Sequence, residues 1–230
     1  MKRPMPALLL SVFLLFCVCA PAQVEQVLSY VVSDETTMVE ALDAWYATRD
    51  SRFGQTATLL AAVVNGTDPT THYLVINYPD YASFQAAQEG VAKSAEFSRF
   101  ERRASTVATQ RGDALYAQLL NNGRTEKAGD YSYTVSVNVA GPQREYVAAS
   151  GELMRSGIGK RCPGAMKFLA GRAGTDSSHL TVISAPSLAA LVSYLDAYEN
   201  DQDWAGFLTK VGKFTTPAGT GFLRVVKVWK

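Results

Sequence analysis

The sequence predicts an α+β fold in which two tandem ferredoxin-like units, each of order βαββαβ, pack sheet to sheet as an intramolecular α/β barrel. The first observation behind this prediction is an internal repeat. At an offset of 107 residues, His72–Pro79 aligns with His179–Pro186 without gaps, and the pairing continues to Phe97 with Trp204. The second observation is that strand-like and helix-like segments follow one another in the same order in both copies.

Each strand is predicted from local patterning. The first strand of each copy alternates and is rich in Val, Tyr and Thr, and two short apolar runs separated by a polar loop predict an antiparallel pair. A last apolar segment closes each unit. The predicted strands are 26–32, 59–65, 72–77 and 113–120 in the first copy, and 131–139, 166–170, 179–184 and 221–229 in the second.

Two helices per unit are predicted from apolar residues at helical spacing. Asp34 and Glu35 favour the start of the first helix, while Pro79-Asp80 and Pro186-Ser187 predict the start of one further helix in each copy, with a capping side chain. The stripes that define the first helices are Met38, Leu42 and Trp45 in one copy, and Tyr146, Ala149 and Leu153 in the other.

The chain divides into four segments. Residues 1–22 have a basic start, a short apolar run and a small-residue ending, which is typical of a signal peptide and predicts a secreted or periplasmic protein. A membrane anchor is the alternative, although the apolar run is shorter than the roughly 20 residues that a spanning helix needs. Residues 23–120 form the first unit, 121–130 a linker rich in Gly, Asn and charge, and 131–230 the second unit.

Composition limits the partners of the mature chain. Removal of Lys2 and Arg3 from the 22 basic residues leaves 20 against 21 acidic ones, a formal charge of −1 without a basic block. We therefore predict no nucleic-acid partner and no membrane partner after removal of the signal. The mature chain keeps only Cys162, in a loop-like stretch, either as an exposed thiol that links two molecules or as an incidental unpaired cysteine. Monomer and homo-oligomer both stay open.

The pattern resembles the dimeric α/β-barrel superfamily in a fused tandem form, and within it the antibiotic-biosynthesis monooxygenases. Besides the topology, Ser94–Phe100 and Asp201–Phe207 look like the stretch late in the second helix of monooxygenase-type members. The resemblance implies a cavity between the two sheets that binds small organic molecules in several members. Members often carry a histidine three residues before the serine of this stretch, where this chain has Val91 and Tyr198.

Haem-degrading relatives use an asparagine on the first strand together with a tryptophan and a histidine on the second helix. Asn138 and Trp204 match the first two of these, and no helix histidine is present. Chlorite dismutase-like proteins share the fused plan, but their haem needs an axial histidine. Neither His72 nor His179 is predicted to lie in a helix, so haem stays open but is not favoured, and no cofactor is predicted.

Candidate site residues come from strand alternation, because two helices cover only one face of a four-stranded sheet and leave the other face to meet the second sheet. In the second copy this inner face carries Thr134, Ser136 and Asn138, opposite an outer face of Val and Tyr. The first copy presents Val27, Ser29 and Val31 at the equivalent places. Such a surface, half apolar and half hydrogen-bonding, is typical of small-molecule sites. Its polar face could equally be wet or internally satisfied.

His72 and His179, the two histidines of the chain, occupy the same place in both copies at the start of a strand. They are predicted ligand-binding residues because histidine carries protons and binds ligands near neutral pH; the alternative is a polar strand end retained from the duplication. No further ligands at suitable spacing predict a metal site. Arg224 and Lys227 fall on opposite faces of the last strand by alternation, so at most one should reach the cavity.

Three functions remain open on these observations. The first is an exported protein that binds a small organic molecule between the sheets. The second is a cofactor-independent, monooxygenase-like enzyme whose turnover depends on His72 or His179. The third is a structural or interaction module without a ligand, which linkage of two molecules through Cys162 would favour.

Overall fold

A computed structural model describes residues 23–48 and 56–230, so the predicted signal peptide lies outside the described residues. The first unit follows the predicted order, with its second helix divided in two. Its elements are β1 (Val24–Val32), α1 (Glu35–Tyr46), β2 (Thr56–Val64), β3 (His72–Tyr78), α2 (Tyr81–Val91), α3 (Ala95–Ala104) and β4 (Ala108–Asn121).

The second unit repeats this order from residue 131, with one additional short helix. Its elements are β5 (Tyr131–Val139), α4 (Gln143–Arg155), α5 (Gly157–Lys160), β6 (Met166–Ala173), β7 (His179–Ala185), α6 (Leu188–Glu199), α7 (Gln202–Val211) and β8 (Thr215–Trp229). The last strand of each unit begins five or six residues earlier than predicted. These early segments are polar and mostly exposed, so hydrophobic patterning does not reveal them.

The described strands form one closed antiparallel barrel in the order β1-β3-β2-β8-β5-β7-β6-β4. Each unit contributes four consecutive strands with the ferredoxin-like order. The units are joined where β2 pairs with β8 and where β4 pairs with β6. Because both edges of each sheet are paired with the other unit, the described strands leave no free sheet edge and enclose the space between the sheets.

The helices cover the outside of the barrel, and each unit has its own core between helices and sheet. The stripes predicted for the first helices are buried there, as expected. Asp34, Asp80 and Ser187 accept hydrogen bonds from the first turns of α1, α2 and α6, which confirms the predicted helix starts. The single second helix predicted for each unit is wrong, because Ser94 and Asp201 interrupt it as the N-caps of α3 and α7.

A β-bulge changes the outward face of β8. Leu59 pairs with Lys227 and Leu60 pairs with Val225, so Val226 is an extra residue that interrupts the alternation. Arg224 and Lys227 therefore both reach α1, where they bind Glu35 and Asp43. The prediction that they lie on opposite faces is wrong for this reason, and neither lines the space inside the barrel.

Cys162 is 1% exposed and its Sγ lies 3.5 Å from the carbonyl oxygen of Gly164. Burial raises the pKa of this thiol. The structure thus contradicts the exposed, cross-linking thiol and leaves the unpaired alternative. Within residues 23–48 and 56–230, no helix combines the length and apolar character needed to cross a bilayer.

Candidate functional site

The barrel encloses a central cavity of about 620 Å³, a volume within the range of small-molecule sites. Its mouth is formed by the loop between β2 and β3, the loop between β6 and β7, and the early part of β8. Its floor lies at the opposite end, where β1, β5 and β6 begin and the linker between the units crosses. The cavity therefore has one open end and one end that side chains close.

The wall of the cavity combines two kinds of side chain. Strands β2, β3 and β8 supply apolar side chains of one packed cluster, of which Leu60, Tyr73, Val75 and Leu223 line the cavity. Strand β5 supplies a row of hydroxyl groups from Ser132, Thr134 and Ser136. A molecule inside the barrel would thus meet a row of hydroxyl groups with apolar side chains on the neighbouring strands.

Three charged side chains form the floor. Lys167 Nζ lies 3.3 Å from Glu25 Oε1 and 3.5 Å from Glu126 Oε2. Ser132 donates a hydrogen bond of 2.8 Å to the other carboxylate oxygen of Glu126. The side chains of Lys167, Glu25 and Glu126 are only 12%, 4% and 9% exposed, and all three line the cavity.

The floor charges control the protonation of Lys167. Burial by itself would lower the pKa of this ammonium group, but the negative charges of Glu25 and Glu126 outweigh burial and raise the pKa. Lys167 is therefore protonated throughout the physiological pH range. It acts here as a fixed cation and does not have the free amine that a nucleophilic lysine needs.

The floor residues were not predicted from the sequence, although the repeat contains the signal. At the offset of 107 residues Glu25 corresponds to Ser132, and Leu60 corresponds to Lys167. Each pair places a charge in one copy where the other copy has a neutral residue, on the strand face that points into the barrel. The contact with Glu126 could not be found in this way, because it comes from the linker, which the repeat does not include.

The predicted inner face of β5 is found at two of its three positions. Thr134 and Ser136 line the central cavity together with Val27 of the first copy. Asn138 lies farther along the strand, where the chain leaves the barrel, and is exposed. Its side-chain oxygen accepts a hydrogen bond of 3.1 Å from the backbone of Ser178. Asn138 thus orders the loop at the mouth and does not line the cavity.

His72 lies on the helix-facing side of the first sheet and not in the central cavity. Its Nε2 is 3.0 Å from Glu35 Oε2 and its Nδ1 is 2.9 Å from Thr71 Oγ1. Glu35 also binds Arg224 at 3.2 Å. Burial disfavours ionisation of Glu35, but its bonds to His72 and Arg224 outweigh burial and lower its pKa. These contacts describe a structural link between α1, β3 and β8.

His179 occupies the equivalent place in the second unit and is 1% exposed. Its Nδ1 is 2.9 Å from Ser178 Oγ, and its ring lies 4.7 Å from that of Tyr146. Among the described residues, Nε2 has no hydrogen-bond partner. Burial, with a smaller contribution from the charge of Arg172, lowers the pKa of His179, so its ring is neutral at physiological pH. The two histidines thus have different hydrogen-bond partners, although they occupy equivalent places. Neither lines the central cavity.

A second cavity of about 420 Å³ lies between the helices and the sheet of the first unit. A hydrogen-bond network centred on Gln26 lines it. Gln26 donates bonds of 3.0 Å to both carboxylate oxygens of Asp113, and its own oxygen accepts bonds from Tyr78 at 3.0 Å and from Gln88 at 3.3 Å. Burial and the charge of Asp113 raise the pKa of nearby Tyr30 to about 12.

The matching cavity of the second unit is smaller, about 210 Å³, and lacks this network. At the offset of 107 residues, Gln26, Tyr78, Gln88 and Asp113 are replaced by Tyr133, Ala185, Leu195 and Thr220. The two helix-facing cavities have therefore diverged, and of the two only the first is lined by this network. Trp45, which lines the polar cavity and is 4% exposed, has an indole Nε1–H without an acceptor among the described residues.

Comparison with protein-family models and with curated protein sequences gives no match for this chain. Solved structures do match. A candidate monooxygenase from Fusobacterium nucleatum shares 14% identity with a TM-score of 0.63, over 91% of this chain and 95% of that one. A candidate monooxygenase from Lactobacillus acidophilus shares 7% identity with a TM-score of 0.64, over 90% and 95% of the two chains.

A chlorite dismutase variant from Candidatus Nitrospira defluvii shares 9% identity with a TM-score of 0.54, over 88% of this chain and 90% of that one. These neighbours belong to the dimeric α/β-barrel superfamily, which confirms the predicted fold. At identities this low, the likeness shows the fold alone.

The described residues do not fit a haem site with an axial histidine. His72 is bonded through both ring nitrogens, to Glu35 and Thr71. His179 is enclosed against Tyr146 and lines none of the three cavities. Over the same residues, no group of three or more His, Cys, Asp or Glu side chains is arranged to hold a metal ion.

Proposed function

Since the chain has the fold of the dimeric α/β-barrel superfamily, we propose that it is an exported protein that binds a small, partly apolar organic molecule in the central cavity. The observation that carries this proposal is the shape and lining of that cavity. It is closed at one end, its wall combines a row of hydroxyl groups with apolar side chains, and its volume suits a small organic molecule. The composition of residues 1–22 supports export, which would take the protein outside the cytoplasm.

Replacement of both Thr134 and Ser136 by Leu should weaken binding of the native ligand at least tenfold, which corresponds to about 1.4 kcal/mol. The added side chains fill part of the cavity and remove two hydroxyl groups from its wall. The measurement is native mass spectrometry of protein purified from its own host, which reports the mass and occupancy of any retained molecule.

Thr209→Leu is the matched control, because Thr209 is exposed on α7 outside the barrel. The control should retain the ligand as the unchanged protein does. Equal occupancy in the double variant and the control would contradict binding in the central cavity.

A monooxygenase-like enzyme is the second candidate, and one observation favours it. The first unit has a cavity with a polar network and aromatic walls, and the neighbouring structures include candidate monooxygenases. Asp113 is the residue for removing a substrate proton, because its carboxylate is at the cavity edge and both of its oxygens are oriented by Gln26. The indole N–H of Trp45, which has no acceptor among the described residues, is the donor for a substrate oxygen.

If this candidate is correct, Asp113→Asn should lower turnover by about 10²–10⁴-fold, the usual contribution of a general base, without unfolding the protein. Oxygen consumption with a panel of hydroxylated aromatic compounds measures this. Asp196→Asn, on the exposed side of α6, is the control and should keep full activity. Turnover that survives Asp113→Asn but is lost in the Thr134 and Ser136 double variant would place any chemistry in the central cavity instead.

The third function is a module without a ligand, which linkage of two molecules through Cys162 would favour. Cys162 is buried, so it does not support this function. No other observation supports it.

A further inference from the structure

We propose that the molecule held in the central cavity is an organic cation, an apolar body with a protonated amine whose ammonium group lies against Glu25 and Glu126 at the floor. This inference rests on the proposed function and names the chemical class of its ligand. It is carried by the charge balance of the cavity and by the arrangement of the floor.

The floor contains one more negative charge than positive charge. Glu25 and Glu126 each bring a carboxylate, and Lys167 brings one ammonium group. Burial of an uncompensated charge is costly, because the protein interior does not replace the lost hydration. A second cation beside the two carboxylates would remove this cost, whereas an anion or a neutral group would not.

The contacts leave both carboxylates accessible to such a cation. Lys167 lies 3.3 Å from one oxygen of Glu25 and 3.5 Å from one oxygen of Glu126, which are long distances for charge-assisted bonds. Each carboxylate has about four lone-pair sites, and both side chains line the cavity. An ammonium group brings three donors and could bind both carboxylates from the cavity side.

The net charge of the whole cavity lining is also negative. Among the described residues that line the cavity, four are acidic and Lys167 alone is basic; the acidic ones are Glu25, Asp68, Glu126 and Asp176. Asp68 and Asp176 are exposed at the mouth, so their contribution is attraction of a cation toward the opening. Lys167 does not favour binding of an anionic ligand, because it already pairs with the two carboxylates of Glu25 and Glu126.

The apolar lining of the cavity indicates the chemistry of the rest of the ligand. Ser132 at the floor and Ser136 near the mouth are four residues apart on β5, which corresponds to about 13 Å along the strand. Leu223 lies beside this row, as the partner of Ser132 on the neighbouring strand β8, and Leu60 and Val75 lie farther round the wall on β2 and β3. A body of several carbon atoms or an aromatic ring can contact them while its amine reaches the floor. The absence of a metal-holding group among the described residues favours an organic cation over a metal ion.

The test uses phenylbutylamine, phenylbutanol and phenylbutanoate. These compounds have the same carbon skeleton, a phenyl ring with a four-carbon chain, and differ in the polar end group. Binding to the mature protein is measured by isothermal titration calorimetry at neutral pH and low salt. The amine should bind at least about tenfold more tightly than the alcohol, and the carboxylate should bind most weakly. In Glu25→Gln and in Glu126→Gln, the affinity for the amine should fall about tenfold while the affinity for the alcohol stays unchanged. Retained binding of the alcohol also shows that each variant is folded.

Glu152→Gln is the control, because Glu152 is exposed on α4 and pairs with Lys210 outside the barrel. It should bind all three compounds as the unchanged protein does. Equal affinity for amine and alcohol, tighter binding of the carboxylate, or full amine affinity in both floor variants overturns the cationic ligand and leaves the proposed cavity function standing. Failure of all three compounds to bind overturns both.

Discussion

Replacement of Lys167 by Met should lower the free energy of unfolding by about 3–5 kcal/mol, the usual cost of removing one partner from a buried ion pair. Met keeps the length and apolar stem of lysine but leaves Glu25 and Glu126 facing each other without a cation. Both carboxylates are less than one tenth exposed, so water screens their repulsion poorly. Urea denaturation followed by circular dichroism measures the change.

Two further variants separate this effect from a general loss of packing. Addition of Glu25→Gln and Glu126→Gln to Lys167→Met should restore most of the stability, because the floor is then neutral. Lys210→Met, which breaks the exposed pair with Glu152, should change stability by less than about 1 kcal/mol. A small effect of Lys167→Met, or a large loss that the added substitutions do not restore, would show that the floor charges are not coupled in this way.

Gly174→Ala should destabilise the protein by about 2–5 kcal/mol. Gly174 lies in the loop between β6 and β7 with a φ of +65°, a conformation that costs a residue with a side chain. A Cβ atom at this position would also meet the backbone oxygen of Asp113 at 2.0 Å, so strand β4 or the loop would have to move. Thermal and urea unfolding both report the loss.

Gly66 provides the control, because it lies in the corresponding loop of the first unit with a nearly identical φ of +60°. A Cβ atom at Gly66 would meet nothing within 4 Å. Gly66→Ala should therefore cost only about 1–2 kcal/mol, the conformational part of the effect. If the two substitutions cost the same, the close approach between Gly174 and β4 does not constrain the barrel.

Local patterning predicted most of the fold because it reports which face of each element is buried. The stripes of α1 and α4 and the alternation of β5 were identified from spacing alone, and the packing agrees with them. The break in the second helices was missed because Ser94 and Asp201 are ordinary polar residues in a helical stretch until they act as caps. The bulge at Val226 was missed because alternation assumes that each residue has one partner on the neighbouring strand.

The candidate site was predicted only where it depends on strand direction. Thr134 and Ser136 line the cavity because side chains alternate along β5, and this follows from the sequence. His72 and His179 start their strands on the opposite face, so their matching positions in the repeat did not bring them together. Asn138 lies on the same face of β5 but beyond the mouth of the cavity. The geometry of the barrel determines where the cavity ends along the strand, and the sequence does not give this position.

The sequence by itself determined the duplication, the order of helices and strands and the polar face of β5, because these depend on residues close together in the chain. Only the tertiary structure decided which strands close the predicted barrel, β2 with β8 and β4 with β6, and that the linker brings Glu126 to Lys167. Lys167 and Glu25 are 142 residues apart, and local periodicity carries no record of such pairings. The physical reason is that a charge becomes part of a site only when the folded chain removes water from it and sets its partners beside it.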